Sequence, residues 1–395
     1  MIATGMLVVI VVLVFARLAY GLILPFMREG LKLDYQQAGN LGTATALGYL
    51  CLIMISGIFA ARWGGRITIM IGVLLTTIGF CGLSVSSHYV LLVVWMVLLG
   101  FGTAFSYTPT ISLLVSWFPQ RRAGVIGAAN SGAGIGMLIA GSLVPYLNEL
   151  FGGIGWRVTW AVFAAAGALT ALAVFFLLPN PQAAGAATAS RKLEGNGTLY
   201  RNRRVIRIGL LYAIIGSTYV VQAIFMYSYA LNAGLSAIVA GRLAAMSGVL
   251  SIFSGPACGW LADRFGRRRV ILALVLADLI ATVLPVFWPV LPGFALHYLI
   301  IGLAMSGLFS VVLAAATEAV APRDAPVAVS YVTLFYAFAQ LVCPAIAGLL
   351  IENAGGFQLL FAGNAALIGI ALFLGLQLKL EAKPHQMATQ QPMSS

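Results

Sequence analysis

The sequence predicts an all-α integral membrane protein with twelve transmembrane helices in two six-helix, pseudo-symmetric bundles. Three observations carry that expectation. First, 61% of the 395 residues are hydrophobic and only 8% are charged, whereas a soluble domain carries about 25% charged residues. So few charges cannot cover a water-facing surface, so lipid is the expected solvent. Second, twelve apolar stretches approach the roughly 20 residues that a bilayer-spanning helix needs. They are continuous and lack strict alternation, which favours helices over a barrel. An open sheet would leave backbone groups unpaired in lipid. Third, GIFAARWGGR at 57–66 returns as GWLADRFGRR at 259–268, an offset of 202. A half-length repeat suggests two copies of one helical unit.

In chain order, the first segment lies near 5–27. It has no basic n-region and no small-residue cleavage site, and Arg17 and Pro25 interrupt it. It therefore reads as a membrane helix rather than a secretory signal. Segments near 36–59 and 67–84 flank the first copy of the repeated loop, and a fourth runs near 90–115. The fifth, near 122–148, carries Gly127, Gly132, Gly134, Gly136 and Gly141, giving it a thin face suited to close packing. Pro179 and Pro181 end the sixth, near 157–178. Residues 1–178 thus form an N-terminal bundle, and 179–205 read as a cytoplasmic linker with a basic end. Six further segments follow near 206–231, 236–261, 270–288, 293–318, 325–351 and 357–378. They make a C-terminal bundle over 206–380, and 381–395 is a polar tail. The same offset pairs Leu33 with Leu235, Ala38 and Gly39 with Ala240 and Gly241, and Gly100 with Gly302. It also pairs Arg121 with Arg323 and Ala123 with Ala325.

The net charge of +12 is distributed by topology. With the N-terminus inside, 17 of the 22 Lys and Arg residues fall on inner loops and 3 on outer loops. Only Arg17 and Arg242 lie within helices. This asymmetry predicts two cytoplasmic termini in a bacterial inner membrane, and attraction to an anionic inner leaflet replaces a nucleic-acid reading. Cys51, Cys81, Cys258 and Cys343 all fall inside helices, without metal-ligand spacing, so neither a disulfide nor a metal site is expected. No nucleotide-binding loop or catalytic triad appears, and no cofactor is expected. An enzyme is excluded on these grounds, and energy would come from a gradient.

The loop GWLADRFGRRR resembles the signature loop of the major facilitator superfamily, which recurs between the second and third and between the eighth and ninth helices. The resemblance covers the whole chain and implies a transporter. Gly57 and Gly259 would let neighbouring helices approach, while Gly64 and Gly266 suit a tight turn. Arg62, Arg66, Arg264 and Arg268 would pin the loop to the inner face. By resemblance, Asp263 would sit at the N-terminus of the eleventh helix and latch the halves. The first copy departs from the pattern, with Ala61 in place of the acid and Gly65 in place of a base. A second stretch, VSWFPQRRAGVIGAANSGAGIG at 115–136, resembles the bacterial monocarboxylate and oxalate–formate branch and the YbfB/YjiJ-type carriers. RLAYGLILP (17–25) and GIGWRVTW (153–160) resemble the same groups.

Arg17 lies about twelve residues into the first segment, roughly 18 Å at 1.5 Å per residue. That depth is near the centre of a hydrocarbon core of about 30 Å. A buried arginine faces a wet cavity or a partner, so Arg17 is a candidate anchor for an anionic substrate or one member of a structural pair. Arg242, about two turns into the eighth segment, is a second candidate. By resemblance, a basic residue on that helix binds a substrate carboxylate, with snorkelling to the outer interface as the alternative. Asp278 is the only carboxylate well inside a helix, and is either a proton carrier or a structural hydrogen-bonding group. Tyr20, Tyr107, Asn130, Tyr219, Gln222, Tyr336 and Gln340 lie on the segments that line the cavity in the family. They are substrate-contact candidates or interhelical hydrogen-bonding groups. The expected protein is a monomeric secondary transporter for a small, monocarboxylate-like anion, coupled to protons or exchange. Alternatives are a proton-coupled exporter of amphipathic drugs and a non-transporting membrane receptor.

Overall fold

The computed structural model describes residues 1–118, 120–179, 199–320 and 324–377. The tail, Arg323 and most of the expected linker lie outside them. Among the described residues, every regular element is helical: α1 (Ile2–Val9), a π-helical stretch (Ile10–Leu18), α2 (Tyr20–Leu31), α3 (Tyr35–Trp63), α4 (Gly65–Val85), α5 (Tyr89–Trp117), α6 (Arg122–Phe151), α7 (Gly155–Leu177), α8 (Arg203–Asn232), α9 (Ala237–Phe265), α10 (Arg267–Phe287), α11 (Leu291–Glu318), α12 (Ala325–Asn353) and α13 (Gly356–Leu376). Short 3₁₀ turns at Gly152–Ile154 and Leu199–Arg201 join them. Among the described residues, ten stretches are long and apolar enough to cross a membrane. One of these, Gly124–Leu177, runs through two successive helices. The first segment makes an eleventh if its halves, bent by 44°, count together.

That bend corrects the expectation of one continuous first helix. A backbone bond from Ala19 N to Val14 O, 2.7 Å, closes a five-residue π turn around Arg17. Wide turns of this kind are frequent at functional sites.

The helix boundaries repeat with the same offset as the loop. α3 and α9 are both 29 residues long and begin at Tyr35 and Ala237, 202 apart. Their starts are capped at equivalent positions. Asp34 accepts from Gln37 N at 2.6 Å while Gln37 accepts from Asp34 N at 3.2 Å, and Ser236 accepts from Val239 N at 3.4 Å. Such caps satisfy amides that a helix start leaves unpaired. Gly64 (φ 90°) and Gly266 (φ 89°) make the turns into α4 and α10, a conformation that costs glycine little.

Packing repeats too. α5 lies on α3 and α4, and α4 on α7; α11 lies on α9 and α10, and α10 on α13. Gly100 allows the first contact, because a Cβ there would meet Thr45 O at 2.2 Å; at Gly302 it would meet Ser247 O at 2.7 Å. Between the halves, α6 packs on α9, α3 on α12 and α2 on α8.

These cross contacts concentrate at the end away from the repeated loops. One apolar core there includes Tyr20, Leu41, Trp156 and Phe163 together with Phe225, Tyr229, Phe294 and Phe361. A separate core, with Ile208, Leu211, Val275, Leu308 and Val332, belongs to the second half alone. Glycines show the same polarity. A Cβ at Gly39 would meet Pro344 O at 2.2 Å, at Gly348 Tyr35 O at 2.2 Å, and at Gly241 Gly141 O at 2.3 Å. At Gly57, Gly127 and Gly259 nothing lies within 4 Å. The close approach expected at Gly57 and Gly259 is therefore absent. The halves touch at one end and part at the end that carries the repeated loops.

Candidate functional site

Arg17 lies where the halves begin to part. The π turn places it on a half-buried face, and its Nη2 donates to Gln340 Oε1 on α12 at 3.0 Å. Gln340 in turn donates through Nε2 to the Tyr336 hydroxyl at 2.8 Å. On the other side the guanidinium lies over the Tyr49 ring, 4.9 Å from its centroid. The Arg17 charge also acts on Tyr107, Tyr219 and Tyr336. Tyr107 donates to Asn130 Oδ1 at 3.1 Å. Thus α3, α5 and α6 from the first half and α8 and α12 from the second surround one cation with hydroxyls, amides and ring faces. Among the described residues no carboxylate lies within ion-pair distance of it.

An aromatic shelf stiffens the second-half wall. Tyr212 stacks on Tyr336 at 4.6 Å, and Phe309 packs edge-on against Tyr219 at 5.0 Å and Tyr336 at 5.6 Å. Gly216 makes room for it, since a Cβ there would meet the Tyr336 ring at 2.5 Å.

The structure therefore brings together Arg17, Tyr107, Asn130, Tyr219, Tyr336 and Gln340. Three other candidates lie elsewhere. Tyr20 is 1% exposed and donates to Ala38 O at 2.8 Å, inside the first half. Gln222 donates through Nε2 to Asp278 Oδ1 at 3.3 Å. Arg242 is exposed and borders a shallow groove with Ser142, Tyr146 and Ile238. It sits six residues into α9, where its long stem can carry the charge towards the interface. The two-arginine site expected from sequence thus contains one arginine here. Tyr49, Tyr212 and Phe309 are additions to the site. Nothing in their spacing separates them from the many packing aromatics.

The repeated loops hold two kinds of contact. Arg66 donates to Phe175 O at the end of α7, and Arg268 donates to Leu376 O at the end of α13 at 2.5 Å. Arg62 lies over Trp63, and Arg264 over Trp260 and Phe265. Asp263 pairs with Arg267 at 3.2 Å, and Arg267 with Glu318 at 2.7 Å. The partner of Asp263 is thus on α10, not at the start of α12. Helices α9, α10 and α12 all lie in the second half, so a contact to α12 would not join the halves, and the helix that α9 meets across them is α6. At the opposite end, Tyr35 N donates to Glu352 Oε2 at 3.0 Å across the halves, with Arg28 over the Tyr35 ring at 4.2 Å.

A polar cleft between two repeats, walled by apolar spanning helices and closed at one end, defines a secondary membrane transporter. A profile for a family described as uncharacterised MFS-type transporter YbfB matches residues 9–376, and the chain belongs to that family of major facilitator transporters, which are not enzymes. Human monocarboxylate transporter 6 is 26% identical over 361 residues, 83% of this chain and 69% of that protein. A probable nitrate/nitrite antiporter, NarK1 of Thermus thermophilus, is 29% identical over 236 residues, 55% of this chain and 51% of that one. The hexuronate transporter of Bacillus subtilis is 27% identical over 169 residues, 42% of this chain and 39% of that one. Among solved structures, a bacterial homologue of the human lysosomal transporter Spinster, inward-facing and unoccupied, superposes with a TM-score of 0.78 at 17% identity. The match covers 95% of this chain and 96% of that one. The nucleoside transporter NupG gives 0.77 at 15% identity, covering 96% and 100%. These likenesses show the fold.

Proposed function

We propose that the protein carries a small organic anion of the monocarboxylate type across the bacterial inner membrane by alternating access. Two six-helix bundles, twelve spans in all, rock about the Arg17 cleft. The observation that carries this reading is Arg17 itself. It is a half-buried cation between the halves, with neutral hydrogen-bonding groups around it and, among the described residues, no acid within ion-pair distance. A buried charge without a counter-ion is costly. An arriving carboxylate would offset that cost through the guanidinium fork, while Tyr107, Asn130, Tyr219, Tyr336 and Gln340 bind the rest of the molecule. Human monocarboxylate transporter 6 and the probable nitrate/nitrite antiporter are both described as carriers of anions, which supports the same class.

The positive-inside asymmetry puts both termini and the repeated loops in the cytoplasm. The open end of the cleft is then the cytoplasmic one, and the state described here is inward-open. Tyr35 and Glu352 close the outer end. Asp263 stands on α9, whose partner across the halves is α6, and would reach the start of α6 when the inner end shuts. Arg242 serves the outer interface.

The test is uptake of labelled small carboxylates into proteoliposomes holding the purified chain. Arg17→Ala is expected to abolish uptake while eluting as a single folded species, and Arg17→Lys to weaken it. Wild-type uptake by a folded Arg17→Ala protein would overturn the reading.

A further inference from the structure

Behind the cleft wall, α8 and α10 bury a carboxylate and a carboxamide face to face. Asp278 is 1% exposed and Gln222 is 4% exposed. Gln222 Nε2 donates to Asp278 Oδ1 at 3.3 Å. The other atom of each group, Gln222 Oε1 and Asp278 Oδ2, is buried without a partner. Were Asp278 ionised, both orphans would be acceptors, and neither could satisfy the other. A proton on Oδ2 would supply the donor that Gln222 Oε1 lacks and so close an acid–amide ring. The hydroxyl of Thr282, one turn along α10 and also buried without a partner, is the other donor beside the carboxyl.

Among the described residues no ion pair compensates a charge there. Of the elements packed against α10, α11 contributes the titratable His297, whose Nδ1 lies 2.8 Å from Ala281 O, and its neighbour Tyr298. α13 contains no titratable residue, and its Asn364 donates to Thr218 O at 3.2 Å. α9 carries Arg242, Asp263 and Arg264 on exposed positions and the buried thiol Cys258. α8 contributes Tyr229, bonded to Pro285 O at 2.8 Å, besides Gln222. The Arg267–Arg269 run stands at the far start of α10. Burying a lone carboxylate without a counter-charge is expensive.

The first half shows that this helix junction needs no acid. The positions 202 earlier hold Tyr20 for Gln222, Thr76 for Asp278 and Trp95 for His297. Tyr20 bonds Ala38 O and Thr76 bonds Gly72 O at 3.0 Å, each with its own backbone partner.

We propose that Asp278 and Gln222 form a proton-binding site, with the proton shared as a carboxylic acid–carboxamide pair. Gln222 lies one turn from Tyr219 on α8, the helix that walls the cleft and meets Gly21 of the first half through Ala223 and Ile224. Loss of the proton turns two acceptors on each other and pushes α8 from α10. Proton occupancy thereby biases how the halves meet, a consequence that rests on the transport reading above.

The test is infrared difference spectroscopy of the purified full chain, wild type minus Asp278→Asn, at neutral pH and without substrate. A protonated-carboxyl C=O band lost in the variant is expected. Asp278→Asn keeps the shape of the neutral acid and should fold. Should it not, Gln222→Leu is compared with wild type, and the same band should persist at a shifted frequency. Ionised carboxylate bands in place of the protonated one would overturn the site, whatever is transported. For coupling, an imposed pH gradient should drive uptake in wild type but leave Asp278→Asn vesicles at the level of protein-free ones. Equal gradient-driven uptake by both would remove the coupling and leave the anion cleft untouched.

Discussion

At the start of α4, Arg66 donates to the carbonyl of Phe175 at the end of α7; at the start of α10, Arg268 does the same to Leu376 at the end of α13. A cation at a helix C-terminus satisfies orphan carbonyls and complements the dipole. This part of the repeated loop has survived in both halves as a structural clamp. The acidic part has not. Asp263, Arg267 and Glu318 form a chain of ion pairs in the second half. The positions 202 earlier are Ala61, Gly65 and Ser116. The same contrast recurs deeper in the bilayer, where Asp278 and Gln222 stand opposite Thr76 and Tyr20. Packing contacts are thus shared by the halves, and the ionisable groups are specific to one. Arg17 reverses the direction, because its counterpart Tyr219 is a neutral member of the same cleft.

The comparison can be broken first at the helix crossings. Gly100→Val and Gly302→Val each drive a side chain into a facing backbone carbonyl. Overpacking of this kind costs about 1–3 kcal/mol and sometimes more. Thermal melts in detergent should fall for both, and further for Gly100, where the gap is smaller. A Gly302→Val protein that melts like wild type would show that the repeat at this position is not a packing requirement.

The clamps come next. Arg66→Ala and Arg268→Ala should each lose about 0.3–1 kcal/mol. Equal drops in melting temperature are expected if both copies do the same work. A drop in one alone would break the equivalence.

The ion-pair chain should give the smallest effect. Glu318→Gln removes an exposed pair worth about 0.2–1 kcal/mol. Its effect on melting should shrink as salt is raised. Asp263→Ala should matter even less to stability, since its side chain is 72% exposed. A slowed return to the outward-open state in Asp263→Ala transport kinetics would instead mark the latch role.

Much of the fold was legible because lipid imposes a simple rule on sequence. Apolar stretches must be helices, basic residues stay on one side, and a duplicated unit shows as a fixed offset. The prolines after Leu178 and the turn glycines at 64 and 266 are local signals. The site was legible in part. Arg17 stood out because a charge in an apolar run is rare, and Tyr107, Asn130, Tyr219, Tyr336 and Gln340 followed from the family's cavity helices. Arg242 stood out for the same reason, and the structure sets it in a groove with Ser142 and Tyr146 of α6, outside the Arg17 cluster, because a residue's turn about the helix axis decides which neighbours it meets. Tyr49 was invisible, as one aromatic among many in a helix whose faces look alike.

Sequence alone determined the class of molecule, its helices, its duplication and its charge polarity, because these depend on composition and on neighbours a few residues apart. Tertiary structure decided which end is open, which arginine enters the cleft, and which oxygen of Asp278 is left unpaired. Each of these depends on how far two helices stand apart and how each is turned. Hydropathy that is uniform around a helix carries no record of either.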